Sequence, residues 1–208
     1  MASSSKRTGK LNRRSDILRA AEKLVRSRGL SGVTTRQISQ EVGCSEGALY
    51  VHFNDRLGLL LAMLEESLPN MLGPFRTLRE SVGRGSPQGN LVQALGGIFK
   101  FHQRIIPQTA GLFAEPELLA AYRNSLKRQG KGPQLSIWAL EEYIRSEQQL
   151  GRIASHVDAQ VAASLMISSS FFRAFVEKFF GKLMEPPWRA FVEQLVATVA
   201  PKQRRTTP

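Results

Sequence analysis

Apolar residues recur along this chain at helical spacing, in runs separated by Gly and Pro. Ile17, Ala21, Leu24 and Val25 form one stripe and predict a helix over 13–28, with Gly29 at the position that ends a helix in a left-handed conformation. Ile38 and Val42 recur at i and i+4, as do Leu49 and Phe53, and Gly43-Cys44-Ser45 lies between the two pairs. Two short helices joined by a tight Gly-bearing turn make a helix-turn-helix. Thr34 followed by Gln37 reads as a capping box for the first helix. Ser45 can cap the second, and Asp55 a third that runs from Arg56 to about Glu66.

Beyond Gly73-Pro74, and a flexible loop expected at Gly83–Gly89, the pattern stays helical. Leu91, Leu95, Ile98, His102 and Ile105 share one face of a helix that Pro107 closes or kinks. Pro116 opens another helix, and a further one spans 133–149. Two more close the chain: one from the box Ser155-His156-Val157-Asp158 to about Phe180, the other from Pro187 to Val199. No segment alternates as a strand does, so the expected fold class is all-α. The last two helices are apolar over more surface than one core contact uses. Val161, Leu165, Phe172, Phe175 and Phe179 on the first, with Phe191 and Leu195 on the second, form either a monomer core or a homodimer interface closing a four-helix bundle.

Composition adds a direction. At 208 residues and 42% hydrophobic the chain can bury a core, and its net charge of +12 favours a polyanionic partner. Residues 1–60 carry eleven Lys and Arg against five Asp and Glu, so half the excess charge lies in that first part. Residues 1–12 read as a disordered basic arm, either touching phosphates or merely solubilising, and 201–208 as a basic tail. The single Cys44 excludes an intramolecular disulfide, and His52, His102 and His156 lack paired-ligand spacing, so no metal or other cofactor is expected. No signal peptide and no membrane span are expected, which suggests a cytoplasmic protein.

On a helical wheel Leu49 and Phe53 point to a core, while Gly47, Ala48, Tyr50 and Val51 point mostly the other way. A solvated helix would carry Lys and Glu on that face. A small, lightly polar face suits close approach in the DNA major groove, with apolar contact to thymine methyls and a Tyr for a phosphate. Gly43-Cys44-Ser45-Glu46-Gly47 also matches G-x-S-x-G, the serine-hydrolase elbow, but that elbow needs a preceding strand and here a helix precedes it. An enzyme is therefore not expected.

Ile17-Leu18, Ala20-Ala21, Gly29, Thr34, Ile38, Val42-Gly43, Ser45-x-Gly47-x-Leu49-Tyr50, Phe53 and Leu59-Leu60, taken together, resemble the pattern of the TetR (tetracycline-repressor-like) transcriptional regulators from about Ile17 to Leu64. Three departures stand out: Ala48 where many relatives have Thr, His52 where Tyr is common, and Leu57-Gly58 where acidic residues usually follow the basic one, here Arg56.

The resemblance implies a three-helix DNA-binding head over 13–66 and a helical effector-binding and dimerisation domain over 67–200. It implies phosphate contacts from Thr34, Thr35, Arg36, Tyr50 and Arg56, with Ser45 in the turn. Gly47, Ala48 and Val51 would face base edges, with His52 at the margin. It further implies a homodimeric repressor on double-stranded DNA, released from a near-palindromic operator by a small effector; the apolar cast of the candidate lining suggests a lipophilic or aromatic one. Phe99, His102, Phe113, Tyr122, Trp138, Met166 and Phe172 are the candidate effector-lining residues, although aromatic and Met residues at helical spacing are more often plain core. The rivals are a serine hydrolase using Ser45 and an architectural DNA binder without an effector.

Overall fold

The computed structural model describes residues 3–67 and 72–201, with side chains over 13–66 and 73–201. Its α-helices are α1 (Ser3–Arg28), α2 (Thr35–Val42), α3 (Glu46–Tyr50), α4 (Arg56–Ser67), α5 (Leu72–Glu80), α6 (Pro87–Thr109), α7 (Pro116–Arg128), α8 (Gln134–Gln149), α9 (Ala159–Phe179) and α10 (Trp188–Val199). A 3₁₀ turn, Ala110–Ala114, separates α6 from α7. No β-strand occurs among the described residues, and the all-α expectation holds.

Three boundaries differ from those the sequence suggested. The expected disordered arm is helical backbone from Ser3 onward, continuous with α1, because Ser, Lys and Arg propagate a helix already nucleated downstream. Residues 1–2 lie outside the described residues, as does the basic tail beyond Pro201. Helix α9 starts at Ala159, and its cap is Asp158, whose side chain accepts from the Val161 amide at 2.9 Å. Pro107 lies inside α6, which continues to Thr109.

The described chain forms two compact units. The first comprises α1–α4 together with Pro107–Gln129, which brings in the 3₁₀ turn and α7. Ile17, Ala21, Ile38, Leu49, Leu60 and Leu64 form its core, and Leu112 and Leu118 from the later segment pack into the same cluster. Polar links accompany this packing. Gln108 donates to Glu22 at 2.9 Å, and Glu65 accepts from Ser125 and from Gln129. The backbone also approaches closely, since a Cβ on Gly111 would stand 2.7 Å from Leu30 Cβ.

The second unit holds α5, α6 as far as Ile106, and α8–α10. Leu91, Leu95, Leu140, Ile144, Ala163, Met166, Val192 and Val196 lie in its core. The loop expected to be flexible at Gly83–Gly89 is pinned instead. The Gly83 amide donates to the buried Glu147 carboxylate at 3.0 Å, and Arg152 Nε lies 3.1 Å from that carboxylate's other oxygen. By length and composition alone α9 is long and apolar enough to cross a membrane, which the sequence had not suggested. One of its faces is packed in this unit, where buried Arg173 meets Glu177 at 2.8 Å. The opposite face exposes Val161, Leu165, Phe172, Phe175 and Phe179.

Candidate nucleic-acid interface

The turn is built from local chemistry. Thr34 accepts from the Gln37 amide at 3.3 Å while the Gln37 side chain accepts from the Thr34 amide at 3.1 Å, closing the capping box. Gly43 ends α2 at φ +71, a left-handed conformation that favours glycine. Ser45 then caps α3 by accepting from the Ala48 amide at 3.3 Å. A serine that caps a helix after a helical turn is not on a strained strand-to-helix elbow, so the geometry the hydrolase reading needed is missing.

Helix α3 buries Leu49, and Phe53 is buried just beyond its end, with the Arg14 guanidinium 5.3 Å from the Phe53 ring centroid. Away from that core lie Gly47, Ala48, Tyr50 and Val51; Tyr50 is 49% exposed and Val51 67%. Thr34 and Arg36 are exposed at the start of α2, and Thr35 and His52 are half-buried. These residues form one edge of the first unit, where a helix N-terminus with free amides adjoins a bare, small-residue helix face.

Two side chains are engaged in ways the sequence did not reveal. The Thr35 hydroxyl donates to Glu46, joining the first turns of α2 and α3 and holding that carboxylate in place. Arg56, expected at a phosphate, is committed inside the unit. It donates to the Val33 and Leu30 carbonyls and pairs with Glu115. The phosphate expectation for Arg56 is corrected accordingly, because four of its five N–H donors already have protein acceptors.

The seven effector candidates do not converge. Phe99, His102 and Met166 are buried in the second unit. Phe113 is 82% exposed, Trp138 56% and Phe172 58%, so none of these three is enclosed by the chain. Tyr122 packs against the core of the first unit, where burial raises its pKa. The second unit does hold a groove of about 610 Å³ lined by Gln88, Val92, Gly96, Trp188, Val192 and Glu193. None of the seven candidates lines it. Phe99 stacks on Trp188 at 4.1 Å between ring centroids, which links one of them to its wall.

Residues 17–63 match the family model described as bacterial regulatory proteins, tetR family. The nucleoid occlusion factor SlmA of Vibrio cholerae is 44% identical over 63 residues, which is 28% of this chain and 32% of that protein. The transcriptional repressor AcnR of Corynebacterium diphtheriae is 37% identical over 59 residues, 28% of this chain and 31% of that one. The match thus spans about a third of the length of these curated relatives and coincides with the helix-turn-helix head. Solved structures extend the likeness in fold to nearly the whole chain. A TetR-family regulator from Mesorhizobium loti superposes with a TM-score of 0.68 at 18% identity, covering 91% of this chain and 94% of that one. SmeT, the repressor of a Stenotrophomonas maltophilia multidrug efflux pump, gives 0.65 at 21% identity and 90% of each chain. The helix-turn-helix head over residues 17–63 is thus similar to the tetR family of bacterial regulatory proteins, and the chain shares the fold of solved regulators of that family.

Proposed function

We propose that the protein is a sequence-specific DNA-binding transcriptional regulator, acting as a homodimeric repressor in the cytoplasm. The observation that carries this is the outward edge of α2 and α3: capped helix N-termini beside a small, apolar, exposed face with almost no charge of its own. On this reading Thr34, Arg36 and Tyr50 meet phosphates, Thr35 offers its backbone amide because its hydroxyl is given to Glu46, Ser45 fixes the turn, and Gly47, Ala48, Val51 and His52 lie at base edges. The named relatives include repressors and a nucleoid occlusion factor, so what they share supports DNA binding more directly than any one output.

An effector acts here by binding one state of the second unit better than another, shifting the population that fits its operator. Phe99, His102 and Met166 are the candidates that remain enclosed, and the groove beside Trp188 is the route by which a lipophilic or aromatic molecule reaches Phe99. The test is selection of binders from random-sequence duplex DNA by the full chain. The expected product is a near-palindromic motif with half-sites about 34–36 Å apart, or a multiple of that. Enrichment of no motif would overturn the reading.

A further inference from the structure

Arg56 uses four donor contacts within the first unit. Its Nε donates to the Val33 carbonyl at 3.1 Å, and its Nη2 to the Leu30 carbonyl at 3.1 Å. Nη2 also donates to Glu115 Oε1 at 3.1 Å, and Nη1 to Glu115 Oε2 at 3.3 Å, a two-pronged pairing of guanidinium and carboxylate. Both carbonyls belong to the loop joining α1 to α2, which ends at the Thr34 cap. The carboxylate belongs to the residue immediately before α7, 59 positions further along the chain. The Arg56 hydrogen bonds hold the Glu115 carboxyl below the usual carboxylate range, against the effect of burial, and Ser31 of the same loop adds another. Gly111, pressed against Leu30, fixes this seam from its apolar side.

We propose that Arg56 and Glu115 are a positioning pair for the DNA-reading edge: the guanidinium holds the α1–α2 loop, Glu115 holds the guanidinium, and Arg56 itself touches no phosphate. This rests on the DNA-binding reading above. A loop tied through two carbonyls fixes where α2 begins, and therefore where its free amides and Arg36 stand relative to α3. Removing Glu115 leaves half of the Arg56 fork unpaired and frees the loop to drift from the register that the duplex requires.

The pair predicts a sign opposite to that of simple charge. Glu115→Gln removes a negative charge from a protein that binds a polyanion, so Coulomb attraction alone would tighten binding. As a positioning partner, its loss weakens binding. Fluorescence anisotropy decides, using a duplex selected by the wild-type chain and a scrambled duplex of equal length, between 50 and 200 mM salt. The proteins are wild type, Glu115→Gln, Arg56→Lys, Arg56→Gln and the double Arg56→Gln/Glu115→Gln, each verified as folded by circular dichroism. Each single substitution is expected to weaken binding to the selected duplex about tenfold, and binding to the scrambled duplex less, with the double no worse than the worse single.

The log–log salt slope should stay at its wild-type value in every variant. A slope reduced by about 0.9 in Arg56→Gln, with Glu115→Gln binding as well as wild type or better, would make Arg56 a phosphate ligand and overturn the proposal. So would full affinity in Arg56→Lys, or losses that add in the double variant. A wild-type chain that selects no DNA overturns this inference together with the functional reading. Any of the other adverse results overturns the pair alone.

Discussion

His102 Nδ1 lies 3.0 Å from Ser170 Oγ, with both side chains buried in the second unit and the imidazole edge-on to Phe171 at 5.6 Å between ring centroids. Burial pushes the His102 pKa from 6.5 down to about 4, and a hydrogen bond to the Ser170 backbone opposes that only in part. The ring is therefore neutral at pH 7. Because the folded pKa is the lower one, the unfolded chain takes up the proton first as pH falls. Stability from this group is complete above pH 6.5, declines through the window from 6.5 to 4, and does not change further below it. The expected loss between pH 7 and pH 5 is about 2 kcal/mol. Urea unfolding at the two pH values, for wild type and His102→Gln, checks this: the pH-dependent loss should be smaller in the variant by about that amount. Equal losses in both would assign the pH dependence to other groups.

The outward face of α3 predicts a separation of roles. Tyr50 and Val51 are exposed, so changing them should alter stability by no more than about 0.5 kcal/mol, and effects on binding then report contacts with DNA. Tyr50→Ala is expected to weaken binding to every duplex while leaving the salt slope near its wild-type value, because a neutral phenol neutralises no phosphate charge. Val51→Gln should leave non-specific binding unchanged and alter preference at a single base pair by about 1–3 kcal/mol. Competition binding on a panel of single-base operator variants measures both. Parallel losses on operator and scrambled DNA for the two substitutions would remove the distinction.

The parts of the site read correctly from sequence are those whose cause is local. The Thr34 box, the Gly43 turn and the Ser45 cap each involve residues a few positions apart, where spacing alone specifies the hydrogen bond. The Arg56–Glu115 pair joins residues 59 apart, and no periodicity announces it. The inclusion of 107–129 in the first unit was hidden for the same reason, since Leu112 and Leu118 look like any other apolar helix positions until the chain folds back. The effector candidates that stand exposed are a different matter. Trp138 lies two positions before buried Leu140, and Phe172 two after buried Ser170, which on a helix is nearly the opposite face. The helical period alone therefore carries that distinction.

Close backbone approach at Gly111 gives a paired prediction with a control. An Ala there would place its Cβ 2.7 Å from Leu30 Cβ, and Leu30 is almost fully buried with its carbonyl held by Arg56. Gly111→Ala should therefore destabilise by about 1–3 kcal/mol through overpacking. Gly96, inside α6, has nothing within 4 Å of its Cβ direction, so Gly96→Ala should stabilise by up to about 1 kcal/mol through helix propensity. Thermal melts of the two variants should move in opposite directions, and a downward shift in both would remove steric crowding as the cause at Gly111.

The exposed stripe of α9 makes the last prediction. Val161, Leu165, Phe172, Phe175 and Phe179 stand at successive intervals of three, four or seven residues, a spacing that keeps them on one side of the helix. All five are exposed in the single chain, while Phe191 and Leu195 on α10 are half-buried. A continuous apolar stripe of this length is costly in water, and the prediction is that a second copy covers it, since a two-fold axis would bring the same residues of both chains together. Because the side chains are exposed, Leu165→Glu and Phe172→Glu should leave each chain folded while placing charge in the interface. Sedimentation equilibrium is expected to give twice the chain mass for wild type and the single-chain mass for the double substitution. Affinity for a full palindrome should then fall toward that for a half-site, because the second head no longer binds at high effective concentration. A wild-type chain that sediments as a monomer, or a substituted one that still sediments as a dimer, would show that this stripe is not where two copies meet.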